Sequence, residues 1–128
     1  MAEPPYADVE RMLVVDLAGF GQTGTVLPDG LPDALPFVRT RRIGGTDDGV
    51  TDRARVVVDV LAATRGQAWD VARHLQQHML SGPRAVPGAG IIDRATTDVG
   101  PQDAPYEDVR VRLVTATYNV SSRRPRTL

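Results

Sequence analysis

Between residues 53 and 80 the hydrophobic pattern changes period once. Ala54, Val56, Val58 and Val60 fall on one side of an alternating run, and Arg55, Val57, Asp59 and Leu61 on the other. Period two with β-branched residues predicts a strand. Further on, Ala68, Val71, Ala72, Leu75 and Met79 share one helical stripe, which predicts an amphipathic helix. Thr64 and Gln67 stand at the switch with the spacing of a capping box. Ser81-Gly82-Pro83 stops the helix, because glycine accepts a left-handed turn and proline cannot extend the ladder. A strand feeding a helix that can fold back over it is the centre of a layered domain.

The flanking segments give a similar alternation of elements. A first helix is predicted over residues 8–20, with Asp8 as its N-cap. Val9, Met12, Leu13, Asp16, Leu17 and Phe20 share its face, and the lone polar Asp16 is expected at the edge of that stripe. Residues 23–27 read as a short strand and 28–36 as a proline-rich loop. Residues 37–43 read as a strand with Phe37 and Ile43 on one side and Val38 and Thr40 on the other. Residues 44–51 read as a flexible hairpin connection. Residues 84–90 read as loop, 91–98 as a strand, 100–105 as a turn-rich break and 108–120 as the longest strand. An extended arm (residues 1–6) and a basic, mobile tail (residues 121–128) complete a single domain. The fold class is α+β: a mostly antiparallel sheet with two α-helices packed on one face.

Composition narrows the chemistry. The 128 residues suit one domain, and only 5% are aromatic, so the core must be built from Val, Leu, Ile and Ala. Oligomerisation would reinforce such a core. A net charge of -1 gives no overall pull toward nucleic acid or an acidic membrane. All 15 basic residues are arginine, which excludes lysine Schiff bases and reads as GC-rich coding. With no cysteine, thiolate catalysis, disulfides and cysteine-ligated zinc are excluded. No apolar run approaches the roughly 20 residues of a membrane span, and the N-terminus has no signal-peptide pattern.

Few motifs carry reactive chemistry. Asp70, His74 and His78 lie four residues apart on one helical ridge. Two histidines at that spacing can hold a metal, but the glutamate of an H-E-x-x-H motif is missing, so the ridge is read as a solvated face. Asp47, Asp48 and Asp52 lack the alternation and closing glutamate of an EF-hand. In an isolated copy they read as a solvated hairpin tip; a second reading is a loop that orders against a neighbouring subunit, where Asp47 and Asp48 could meet arginine. No serine lies in G-x-S-x-G, and no phosphate-binding glycine loop is present. The chain is therefore read as a non-enzyme with no catalytic residues, no metal and no cofactor. Arg39, Arg41, Arg42, Arg110 and Arg112 could touch phosphate, but no aromatic residues interleave with them for base stacking.

In order and spacing the segments resemble the tail terminator proteins of long-tailed (siphovirus-type) phages that infect actinobacteria. The resemblance rests on Tyr6-Ala7-Asp8-Val9-Glu10 with Leu13 and Leu17, and on Leu31-Pro32 with Leu35-Pro36-Phe37-Val38 leading to Gly44-Gly45. It rests also on the run from Asp52 to Val60 followed by Ala68-Trp69. It implies an α+β virion protein, assembled in the host cytoplasm, that closes into a ring, hexameric in related tails. The ring would cap the tail tube protein, stop its polymerisation and offer a surface to the head–tail connector protein. Genome DNA would pass through it without sequence-specific binding, and no membrane is involved. Under this reading Arg39, Arg41, Arg42, Asp47 and Asp48 contact neighbouring subunits or the tube. Other readings are a different head–tail completion protein, a small metal- or ligand-binding enzyme, and a nucleic-acid-binding module.

Overall fold

A computed structural model of the chain describes residues 4–124. Two helices, α1 (Val9–Asp16) and α2 (Arg65–Met79), accompany seven strands: β1 (Gln22–Gly24), β2 (Phe37–Asp47), β3 (Thr51–Ala62), β4 (Arg84–Val86), β5 (Gly90–Ile92), β6 (Arg94–Ala104) and β7 (Arg112–Arg123). Five of them form one sheet in the order β1-β2-β3-β7-β6, and β4 pairs with β5 in a separate hairpin. Within the large sheet only β1 and β2 run parallel; β2–β3, β3–β7 and β6–β7 are antiparallel. The fold is α+β, as the alternation of periods predicts.

β3 and its partners place the core. Ala54, Val56, Val58 and Val60 join Val114, Ala116, Tyr118 and Val120 of β7 in the main buried cluster. Val9, Met12, Leu13 and Leu17 from the α1 segment and Ala68, Ala72, Leu75 and Met79 from α2 complete it, so both helices cover the same face. The opposite face carries a smaller cluster of Leu31, Phe37, Leu61 and Val111 at one end of the sheet. Elsewhere that face is open and bears Arg39, Arg41, Arg53, Arg55, Thr115, Thr117 and Asn119 in register.

Both predicted helix caps form. Asp8 accepts from the Glu10 and Arg11 backbone N–H groups, and Thr64 Oγ1 from Gln67 N–H. Gln67 reaches back as a capping box requires, but its Oε1 accepts from Ala63 N–H, one residue early. A substitution of Asp8 or Thr64 by alanine removes one such acceptor, worth about 1 kcal/mol.

Several boundaries differ from the sequence reading. α1 ends at Asp16, and residues 18–20 form a 3-10 turn. Asp16 is not at a solvent edge: its side chain is only 8% exposed, beside Arg84 and His78. Residues 44–51 are not a flexible connection, because β2 and β3 pair as far as Asp47 and Asp52. The segment 84–92, expected to begin as loop, is the β4–β5 hairpin. β6 runs through Gly100-Pro101 with register shifts between Thr97, Val99 and Gln102. An edge strand tolerates such a proline because no ladder donor is needed on its outer side. β7 begins at Arg112, since Asp108–Val111 form a turn closed by Val111 N–H on the Asp108 carbonyl. It then continues through Ser121–Arg123, residues assigned to the tail from sequence, with Ser122 buried. The rest of the expected tail beyond Arg124 and the first three residues of the arm lie outside the described residues.

Candidate subunit and tube interface

The five residues singled out from sequence fall into three groups. Arg39 and Arg41 stand on the open face, two residues apart on β2. Arg39 is the cross-strand partner of Asp59 on β3 and donates to Asp59 Oδ2 from Nε and Nη2 at 3.0 and 2.7 Å. Arg41 Nη2 lies 3.6 Å from the same oxygen. Asp59 is buried, so two cations on the rim neutralise one carboxylate beneath them. A buried charge without such partners would be strongly unfavourable.

Arg42 points to the helix side. Its Nη1 and Nη2 form a fork on the two oxygens of buried Asp52 at 2.7 and 2.8 Å, the bidentate geometry that suits arginine. This hydrogen-bonded carboxylate raises the Arg42 pKa above its ordinary value. The Arg42 backbone N–H donates to Glu10 of α1 at 3.0 Å, which satisfies part of an edge that would otherwise invite another strand.

Asp47 and Asp48 shape the tip of the β2–β3 hairpin. Asp48 accepts from the Val50 and Thr51 N–H groups at 3.0 and 2.8 Å, and Arg53 Nη1 lies 3.4 Å away. The Thr51 and Val50 N–H groups hold its carboxyl below the usual carboxylate range. Asp47 accepts from Gly49 N–H and from the Tyr6 hydroxyl. Arg124 stacks 4.3 Å over the Tyr6 ring and donates to the Gly49 and Pro4 carbonyls. Arm, hairpin tip and the end of β7 thus form one clasp, in which the acidic pair remains exposed to solvent.

Sequence reasoning missed two features. On the open face, Gly45, Thr46, Arg53, Arg55, Arg94 and Asn119 line part of a groove of about 480 Å³. The outward placement of Arg53 and Arg55 was readable from the alternation on β3; that of Arg94 needed the strand order. Behind the sheet, Arg84 donates to both oxygens of Asp16 and to the Met79 and Gly82 carbonyls at the end of α2. His78 Nε2 stands 3.1 Å from Asp16 Oδ2 without hydrogen-bond alignment. The expected ridge is therefore divided: Asp70 and His74 lie on the exposed surface of α2, while His78 turns inward against Phe20. Among the described residues no three acidic, histidine or cysteine side chains gather in metal-binding geometry.

The fold has a counterpart among known proteins. The chain has the fold of one in a solved structure described as the virion of a native gene transfer agent particle, at 14% identity and a TM-score of 0.56, covering 87% of this chain and 84% of that one. No curated protein sequence matches it. A family profile described as phage tail termination protein matches residues 6–128, nearly the whole chain, so the protein belongs to the phage tail termination protein family.

Proposed function

We propose that copies of this chain close into a ring, hexameric as in related tails, on the last layer of the tail tube of a long-tailed phage with an actinobacterial host. The ring stops tube growth and presents the surface to which the head–tail connector attaches. Genome DNA passes through its hole without sequence-specific contacts. The reading makes the protein a virion component of the tail and neck, assembled in the host cytoplasm. It acts by shape, without catalytic residues, metal or cofactor. Arg39, Arg41, Arg42, Asp47 and Asp48 are its subunit or tube contacts.

The single observation that carries this reading is the family match across residues 6–128. The physical argument is consistent with it. A head-to-tail interface that closes on itself ends lateral growth, and axial growth ends where the outer face of the ring lacks the tube's acceptor surface. The experiment is to add the purified chain to polymerising tube protein and measure tube lengths by negative-stain microscopy. Arrested tubes with a ring at one end are expected. Tubes that grow at the same rate and to the same length with excess chain present would overturn the proposal. Rings bound to the head vertex but never to the tube would favour a completion protein of the neck.

A further inference from the structure

The two outer edges of the large sheet present unlike surfaces. β1 covers β2 only from Phe37 to Arg39, and every residue from Arg41 to Val50 is exposed. Glu10 takes the Arg42 N–H, and Arg42 Nε reaches the Gly44 carbonyl at 3.3 Å. Those contacts work against another strand zipping along this edge. Beyond them stands the clasped hairpin tip, which leaves exposed the acidic pair Asp47 and Asp48 and an apolar Val50 that is 63% exposed.

At the far edge, β6 begins in regular register from Arg94 to Thr97, before its shifts. Beside that stretch and the end of α2 lies a groove of about 540 Å³. Leu80 and Pro83 supply an apolar wall and Arg94 a cation; Leu80 is 43% exposed. The Arg94 side chain has no ion-pair or hydrogen-bond partner among the described residues. Register fixes how tip and groove relate. Arg94 pairs with Ser121, Ser121 with Arg53 and Arg53 with Thr46. Arg94 and Thr46 therefore stand level at opposite edges, about 14 Å apart at ordinary strand spacing, with the tip projecting beyond Thr46 and the groove running back from Arg94 toward Thr97. A tip cannot fill the groove of its own chain.

We infer that the β2–β3 hairpin tip of one copy seats in the β6 groove of the next, with Val50 against Leu80 and Pro83 and the carboxylates of Asp47 and Asp48 on Arg94. This rests on the ring proposed above and names the surfaces that close it. A knob on one edge and a groove on the other make a head-to-tail contact, which forms a ring when the rotation closes. Apolar meets apolar and the acidic pair meets Arg94, while the groove's own carboxylate, Asp93, is already held by Arg123.

The absence of cysteine makes the contact directly testable. Chains carrying Val50→Cys and differently tagged chains carrying Leu80→Cys are mixed, allowed to assemble on tube protein and oxidised. A covalent dimer holding one of each tag is expected, at least tenfold above either variant alone. Arg94→Glu is expected to reduce the assembled fraction at least tenfold while leaving the circular dichroism and melting of the free chain unchanged. Rings that form at wild-type yield but give no mixed dimer, or that tolerate Arg94→Glu, would overturn this contact and leave the ring standing. A wild-type chain that stays monomeric beside its tube protein would remove both.

Discussion

The two faces of the sheet use charge in opposite ways. Behind it, under α1 and α2, Asp16 is enclosed and Arg84 is itself mostly buried, with a side chain 14% exposed. This pair ties the end of α1 to the end of α2, and neither partner can turn to water. On the open face, Asp59 is as deeply buried, but the arginines above it reach solvent. The first arrangement fixes helices to one another. The second keeps cations at a surface while their countercharge stays fixed below. Carboxylate burial alone therefore does not distinguish an enclosed pair from one whose cations reach solvent; the exposure of the arginine does.

The sharpest break in the comparison comes from removing one partner on the enclosed side. Arg84→Ala should destabilise the free chain by about 3–5 kcal/mol, since it leaves a buried carboxylate with only an unaligned histidine beside it. Chemical denaturation of the unassembled protein would measure this. A loss below 1 kcal/mol would mean that Asp16 is already satisfied without it.

Next in size is an alkaline effect, also behind the sheet. Burial pushes the Tyr118 phenol up to about 12, and its hydroxyl has no hydrogen-bond partner among the described residues. The folded pKa is raised, so the contribution is fully present below pH 10, the unfolded value. It is lost as pH rises toward 12, where the unfolded chain gives up a proton that the folded chain keeps. The loss should be on the order of 2–3 kcal/mol. Tyr118→Phe should abolish that slope and leave stability at pH 7 unchanged or slightly higher, because it removes an unsatisfied buried group. Denaturation midpoints of both proteins between pH 9 and 12 would separate the two curves.

Smaller effects belong to the open face. Asp59→Asn should cost about 1–2 kcal/mol, less than Arg84→Ala, because Arg39 and Arg41 can turn to water when their partner loses its charge. Arg41→Ala should change stability by less than about 0.5 kcal/mol, as exposed pairs generally do. If the proposed interface includes Arg41, tube capping by that variant should weaken even so. Equal destabilisation by Arg84→Ala and Arg41→Ala would collapse the distinction between the faces.

What the sequence made legible follows the same division. The alternation on β3 and the stripe of α2 were readable because each buries an uninterrupted apolar set, and Asp8 and Thr64 announced their helices through local hydrogen bonding alone. The misread segments depend on partners remote in sequence. Gly100-Pro101 reads as a break until the strand order places β6 at an edge. Residues 84–90 read as loop because Pro87 and Gly88 mark a turn and the strands on either side are three residues each. Asp16 looked like a stripe-edge residue because its partner, Arg84, is 68 positions away. The candidate contacts were legible as residues but not as groups: nothing local distinguishes Arg42, locked on Asp52, from Arg41, whose guanidinium reaches solvent.

The clasp around Tyr6 has a practical consequence for imaging. Arg124 holds the Pro4 carbonyl at 2.8 Å, so the arm and the end of β7 emerge side by side at the hairpin. A gold cluster attached through a short linker at position 4 or at position 124 would mark the same corner of the subunit. If copies close into the proposed ring, the radius of that mark within an averaged particle would report how far the corner stands from the ring axis.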